Sequence, residues 1–295
     1  MNMRNYRNYM EEYGWAADEA GIANAVAEIK NSLPALRTQE NWKRCFGAID
    51  LTTLNATDTV EEVYKLTEKV NDFSVNFAGV PPVSAICIYP ALVQTVRRAL
   101  KIPAIQIAAV GAGFPASQTF IKVKSEECRM AVEQGATEMD VVISLGTFLS
   151  GDYATVAAEI RQIKAAIAPA RLKVILETGA LTATQIAIAS FIAMEAGADF
   201  IKTSTGKMEP AATPAAAWIM TNCIRRFHEK TGKKVGFKPA GGIVSPDDAL
   251  MYYAIVKKTL GGDWLAPSLF RLGASRAANN LLSSIFASDI NYFKR

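Results

Sequence analysis

Eight short apolar runs recur along the chain: "CFGAIDL", "VSAICIYP", "IQIAAVGA", "EMDVVISL", "LKVILET", "DFIKTST", "KVGFKPA" and "LFRLGAS". Between them lie longer stretches with apolar residues at i, i+3 and i+4, among them "TVEEVYKLTEKVNDF", "YATVAAEIRQIKAAIA" and "SPDDALMYYAIVKKTLG". A strand buried on both faces reads as a continuous apolar run, which is the mark of parallel pairing with helices outside. Eight strand-helix units predict a closed α/β barrel, a TIM (β/α)8 fold, over residues 45–295. An open doubly wound sheet is the alternative, but no G-x-G-x-x-G follows the first run, where a dinucleotide fold carries it.

Local signals punctuate the helices. Starts are expected at Thr57 or Asp58 ahead of Val60, at Ser125 ahead of Glu126, at Thr182, and at Ser245 ahead of Pro246. Gly135 and Gly197 stand where helices would end before the next strand. Residues 1–44 precede the first strand and read as one or two amphipathic helices, anchored by Trp15 and Trp42, covering the barrel or a partner. The end, "AANNLLSSIFASDINYFKR", reads as a last helix followed by a short mobile tail.

Composition narrows the chemistry. With 32 Lys plus Arg against 28 Asp plus Glu, the net charge of +4 is too mild and too dispersed for a nucleic-acid partner. No stretch is long and apolar enough for a membrane span, and the polar start lacks the apolar segment of a secretory signal, so a cytoplasmic protein is expected. Cys45, Cys87, Cys128 and Cys223 are far apart and expected as reduced thiols. The single histidine, His228, sits in "RRFHEKTGKK" and reads as a solvated helix end. One histidine leaves no multi-histidine metal site and makes a Ser-His-Asp triad a poor reading. Acid, base and nucleophile must come from Lys, Asp, Glu, Cys, Tyr or Ser.

In such a barrel the active site lies at the C-terminal ends of the strands. The polar residues closing the apolar runs are Asp50, Cys87, Glu138, Asp140, Lys202 and Lys238. Lys202 and Lys238 fall on neighbouring strands, close enough to repel, and repulsion and burial both favour a neutral, nucleophilic lysine. Asp140 shares the even-strand parity of Lys202 and is expected to face it, holding a water for proton transfer. The plainer reading is that Asp140 and Glu138 only neutralise the buried lysines. The triplets "TGK", "GGI" and "GAS" close strands six to eight with exposed backbone N–H groups, and Lys207 adds charge at the same rim: a candidate phosphate cradle.

Together "IDLTTLN", "AICIYP", "GATEMDVVI", "KVILETG", "AGADFIKTSTGK", "VGFKPAGGI" and "FRLGAS" resemble the 2-deoxyribose-5-phosphate aldolase family, from about residue 46 to 285. The N-terminal extension and "DWLAPSLFRLGAS" are similar to its longer, animal type. The resemblance implies a class I aldolase that needs no metal or other cofactor. Such an enzyme reversibly splits 2-deoxy-D-ribose 5-phosphate into acetaldehyde and D-glyceraldehyde 3-phosphate. The implied partners are this phosphorylated sugar and the aldehydes, with a homo-oligomer possible. By motif, Lys202 matches the Schiff-base lysine, Lys238 the lysine that perturbs it, and Asp140 the aspartate of the proton relay. Asp50 resembles a polar residue near the substrate hydroxyls, and Cys87 a thiol bordering the site. The implied phosphate pocket comprises Thr205, Gly206, Lys207, Gly241, Gly242, Gly273 and Ser275. Two positions depart from the pattern: Val244 stands where arginine is usual, and Arg276 where a small residue is usual, so Arg276 is expected to restore the missing charge. Some members end in a tyrosine that reaches the site; Tyr292 is the nearest residue here, and the role is not carried over to it. Another Schiff-base sugar-phosphate aldolase, or a silent barrel serving as a scaffold, stays open at this point.

Overall fold

The computed structural model describes residues 6–294. All eight expected strands form: β1 Ile49–Thr52, β2 Ala85–Ile88, β3 Gln106–Gly111, β4 Glu138–Val142, β5 Arg171–Ile175, β6 Phe200–Lys202, β7 Gly236–Lys238 and β8 Leu272–Ala274. They pair in parallel, each with its sequence neighbour, and β1 also pairs with β8. Two single bridges, Phe237 to Phe270 and Ala240 to Gly273, join β7 to the β8 side and close the barrel. Register sets Lys202 opposite Lys238 and Asp140 opposite Lys173, and side chains opposite one another on parallel strands share a face. These four therefore enter the barrel together.

Helices wrap the strands, and several begin as their sequences direct. Thr182 and Ser245 each cap with a reciprocal side-chain bond, and Pro246 fills the first turn of its helix. Two expected starts are corrected. The helix Val60–Asn71 is capped by Thr59, because Glu62 three residues on returns the bond. The helix Ile121–Glu133 begins a turn before Ser125, without a side-chain cap. Gly135 and Gly197 follow helix ends at φ of +114° and +100°, a region that glycine enters freely.

The N-terminal segment holds three helices rather than one or two: α1 Tyr6–Glu12, α2 Glu19–Leu36 and α3 Gln39–Gly47. Asp18 caps α2 and Thr38 caps α3. α2 lies on the helices Pro214–Thr231 and Pro246–Leu260, and α3 on Arg276–Phe286. The main anchors are Ile29, Leu33 and Phe46, all buried, while Trp15 and Trp42 are only partly covered. Tyr13 stacks on Phe191 at 4.0 Å, tying the segment after α1 to the barrel's helical coat.

The chain end is docked, which corrects the expected mobile tail. Phe293 is buried and stacks near Phe46 and Phe73; the Phe293 N–H donates to Asn279 Oδ1 at 2.9 Å. Tyr292 Oη donates to the Lys69 carbonyl at 2.7 Å. His228 is half-buried, its ring edge-on to Trp264 at 5.0 Å, rather than solvated. All four cysteines are buried free thiols. Among the described residues no helix is long and apolar enough to cross a membrane.

Candidate active site

Strand parity brings seven charged side chains into the barrel: Asp50 from β1, Glu138 and Asp140 from β4, Lys173 from β5, Lys202 from β6, Lys238 from β7, and Arg271 just before β8. Each is at most 3% exposed, so every charge must be met inside. Asp140 Oδ2 accepts from Lys202 Nζ at 2.8 Å and from Lys238 Nζ at 2.7 Å, and its Oδ1 accepts from Lys173 Nζ at 3.1 Å. Below, Arg271 holds Asp50 at 2.7 Å and grips Glu138 through both terminal nitrogens at 2.9 and 3.1 Å. Lys173 bridges the two levels, 2.5 Å from Glu138 Oε2, and Lys238 also pairs with Asp50.

The electrostatics follow from this arrangement. Burial opposes ionising Asp140, but Lys173, Lys202 and Lys238 outweigh it and hold the carboxyl well below its usual range. Asp50 is likewise lowered, burial being overcome by Lys238, Lys173 and Arg271. Burial would lower Lys238, yet Asp140 and Asp50 reverse that and raise it. The expected simple repulsion between Lys202 and Lys238 is thus corrected: one carboxylate oxygen lies against both ammonium groups, and Lys238 stays protonated. Cys87, fully buried on β2, is pushed up by burial and is a poor thiolate.

Above the cluster a cavity of about 520 Å3 opens at the C-terminal ends of the strands. Lys202 forms part of its floor, with Thr205, Gly206 and Lys207 on one wall and Gly241, Gly242, Gly273, Ser275 and Arg276 on the other. Gly206 and Gly241 are required as glycine: both take left-handed φ, +75° and +84°, and a Cβ on Gly241 would stand 3.1 Å from the Gly206 Cα. The two loops therefore meet backbone to backbone. Lys207 Nζ donates to the Leu54 carbonyl at 2.6 Å, drawing the β6 loop across the mouth. Arg276 opens an eleven-residue helix whose N-terminal end adjoins the cavity, and Val244 lines the same wall. Asp50, Asp140, Lys238 and Cys87 do not line the cavity, although Lys238 and Asp140 are one contact away through Lys202. Tyr292 does not line it either; its neighbours Asn291, Phe293 and Lys294 do.

Sequence reasoning missed Lys173, Arg271 and Glu177. The first two carry a readable signal: each lies two residues before an inward position, Lys173 before Ile175 and Arg271 before Gly273. Among the described residues no group of three or more His, Cys, Asp or Glu side chains is arranged to hold a metal ion. The three core carboxylates are occupied by ammonium and guanidinium groups.

A TIM barrel with a lysine at the floor of a glycine-walled cavity, backed by a shared carboxylate, defines the class. Residues 45–260 match the family described as DeoC/LacD family aldolase. The human deoxyribose-phosphate aldolase is 46% identical over 280 residues, covering 89% of this chain and 88% of that protein. The bovine deoxyribose-phosphate aldolase is 45% identical over 250 residues, covering 81% and 78%. The fold is shared with a crystal structure from Toxoplasma gondii, at a TM-score of 0.74 and 21% identity, covering 85% of this chain and 96% of the other. It is also shared with the deoxyribose phosphate aldolase of Aeropyrum pernix, described as tetrameric, at a TM-score of 0.65 and 24% identity, covering 90% and 98%. The chain belongs to the DeoC/LacD family of aldolases.

Proposed function

We propose that this chain cleaves 2-deoxy-D-ribose 5-phosphate reversibly to acetaldehyde and D-glyceraldehyde 3-phosphate through a Schiff base on Lys202. The observation that carries the reading is the placement of Lys202 Nζ, at the cavity floor and 2.8 Å from Asp140 Oδ2. The buried cluster contains four cations, Lys173, Lys202, Lys238 and Arg271, against three carboxylates, Asp50, Glu138 and Asp140. That surplus is relieved when one ammonium gives up its proton. Lys202, with one carboxylate contact among the described residues and a place in the cavity floor, is the amine that a substrate carbonyl can reach.

The neutral amine attacks the C1 aldehyde, and loss of water leaves an iminium. Removal of the C3 hydroxyl proton then breaks the C2–C3 bond, and its electrons move into an enamine while glyceraldehyde 3-phosphate departs. Protonation of the enamine carbon and hydrolysis release acetaldehyde and restore the lysine. Asp140, kept ionised by its neighbours, anchors the water that moves these protons, and Lys238 fixes Asp140 in place. Thr205, Gly206, Lys207, Gly241, Gly242, Gly273 and Ser275 cradle the phosphate, and Arg276 supplies the positive charge that Val244 lacks. Asp50 and Cys87 act from beneath: Asp50 holds Lys238, and Cys87 fills the β2 wall. Self-association is part of the reading, and Phe120, Val123 and Met130 offer exposed apolar surface for it.

Reduction with borohydride in the presence of acetaldehyde tests the reading directly. An ethyl group on Lys202 and loss of both adduct and turnover in Lys202→Ala are expected. An adduct on another lysine, or none on folded wild-type protein, defeats it.

A further inference from the structure

Glu177 combines two features that a chain does not keep without cause. It ends the inward face of the fifth strand, two residues beyond Ile175, in a left-handed conformation with φ of +57° and ψ of +59°. A side-chain-bearing residue occupies that region only under constraint, and such residues gather at functional sites. Its carboxylate is buried, the residue being 3% exposed, and among the described residues no cation pairs with it. Two donors from one residue satisfy it instead. The Thr205 N–H donates to Oε1 at 3.1 Å and the Thr205 hydroxyl donates to Oε2 at 2.5 Å.

We propose that Glu177 is a positioning residue for anion binding, holding the β6 loop so that its backbone forms one wall of the phosphate cradle. This rests on the reading of the cavity given above. The chain of contacts is short. Thr205 Oγ1, while donating to Glu177, accepts from the Lys207 N–H at 3.0 Å. Glu177 therefore fixes the residues on both sides of Gly206. Among the described residues no hydrogen bond engages the Gly206 N–H, which leaves it free for a ligand. Beneath the loop there is no slack: the Thr178 N–H donates to the Thr203 carbonyl at 2.9 Å, and a Cβ on Gly179 would lie 2.0 Å from the Pro210 carbonyl oxygen. On the far side Thr203 Oγ1 accepts from the Ala240 N–H at 3.0 Å, which carries the alignment to Gly241. A carboxylate suits this task because both of its oxygens accept, whereas an amide of the same shape must turn a donor toward one of the two Thr205 donors.

The test compares wild type, Glu177→Gln and Thr205→Val with phosphorylated and unphosphorylated 2-deoxyribose, and measures inhibition by inorganic phosphate. In both variants KM for the phosphorylated sugar and the inhibition constant for phosphate should rise about tenfold, and in Glu177→Gln kcat should stay within about twofold, the pattern of lost binding without lost chemistry. In Glu177→Gln turnover of the free sugar should change less than about twofold. Thr205→Ser, which keeps both donors to Glu177, should be inhibited by phosphate more strongly than Thr205→Val. A Glu177→Gln enzyme with unchanged KM and phosphate inhibition overturns the proposal, as does an equal loss on both sugars. If Glu177→Gln does not fold, Thr205→Val, which removes the hydroxyl donor to Glu177, decides: a phosphate inhibition constant equal to that of Thr205→Ser overturns the proposal. Failure of the underlying reading looks different: wild-type enzyme that ignores phosphate and does not prefer the phosphorylated sugar overturns both.

Discussion

Asp140 Oδ2 stands within hydrogen-bond reach of two ammonium groups, and this sharing changes what each lysine can do. Lys238 also pairs with Asp50, is raised above its ordinary range and remains a fixed positive charge. Lys238→Leu leaves three cations facing three carboxylates and leaves Asp140 Oδ2 to Lys202 alone. At neutral pH kcat/KM should then fall about 100-fold, and the pH–rate profile should move toward alkaline pH. A profile with an unmoved midpoint, measured on a variant with intact circular dichroism, argues against the account. The sequence made Lys202, Lys238 and Asp140 legible because the two lysines close apolar runs and Asp140 interrupts one. Lys173 and Arg271 carry a weaker signal, a spacing of two residues from an inward strand position, which becomes readable only once the strand register is known. Glu177 was hidden for another reason: its left-handed turn and its bond to Thr205 depend on a loop that is remote in sequence.

At the scale of elements, the C-terminal segment and the helix Val60–Asn71 hold each other, and the cavity borrows a wall from the pair. Tyr292 Oη bonds the Lys69 carbonyl, Lys69 Nζ returns a bond to the Lys294 carbonyl at 2.7 Å, and Phe293 enters the Phe46–Phe73 stack. Deleting residues 290–295 removes a buried phenylalanine worth about 2 kcal/mol, so Tm should drop by roughly 5 °C. The same deletion strips Asn291 and Lys294 from the cavity mouth, so KM for the phosphorylated sugar should rise as well. Calorimetry and kinetics on the shortened chain check both; an unchanged Tm sinks the packing argument. The eight strands could be read from sequence because burial on both faces writes itself as an apolar run. The docked tail could not, because its partners Phe46, Phe73 and Lys69 lie more than two hundred residues away. The helix starts at Thr59 and Ile121 were missed by one or a few residues, where a capping box outranks a nearby Asp and where no cap exists at all.

For the whole molecule, the buried cluster sets how stability depends on pH. Asp50 and Asp140 are lowered in the fold, so their contribution is present above the unfolded carboxylate value of about 3.9 and is lost as pH falls below it. Lys238 is raised, so its contribution is present below about 10.4 and is lost as pH climbs through the folded value. Tm should accordingly be nearly level from about pH 5 to about pH 8 and drop steeply below about pH 4; above about pH 8.5 it should fall again, because the thiols of Cys45, Cys87, Cys128 and Cys223, held protonated by burial, ionise in the unfolded chain. A Tm that slopes steadily between pH 5 and pH 8 contradicts this. The interlocking of seven charges has a historical consequence too. Removing one partner of a buried ion pair costs about 3–5 kcal/mol, a large share of a domain's stability. A lineage therefore cannot exchange these residues one at a time: Arg271 and Glu138, or Lys173 and Asp140, must change together or not at all. Inside the barrel, a substitution at one of these seven positions has to wait for its complement.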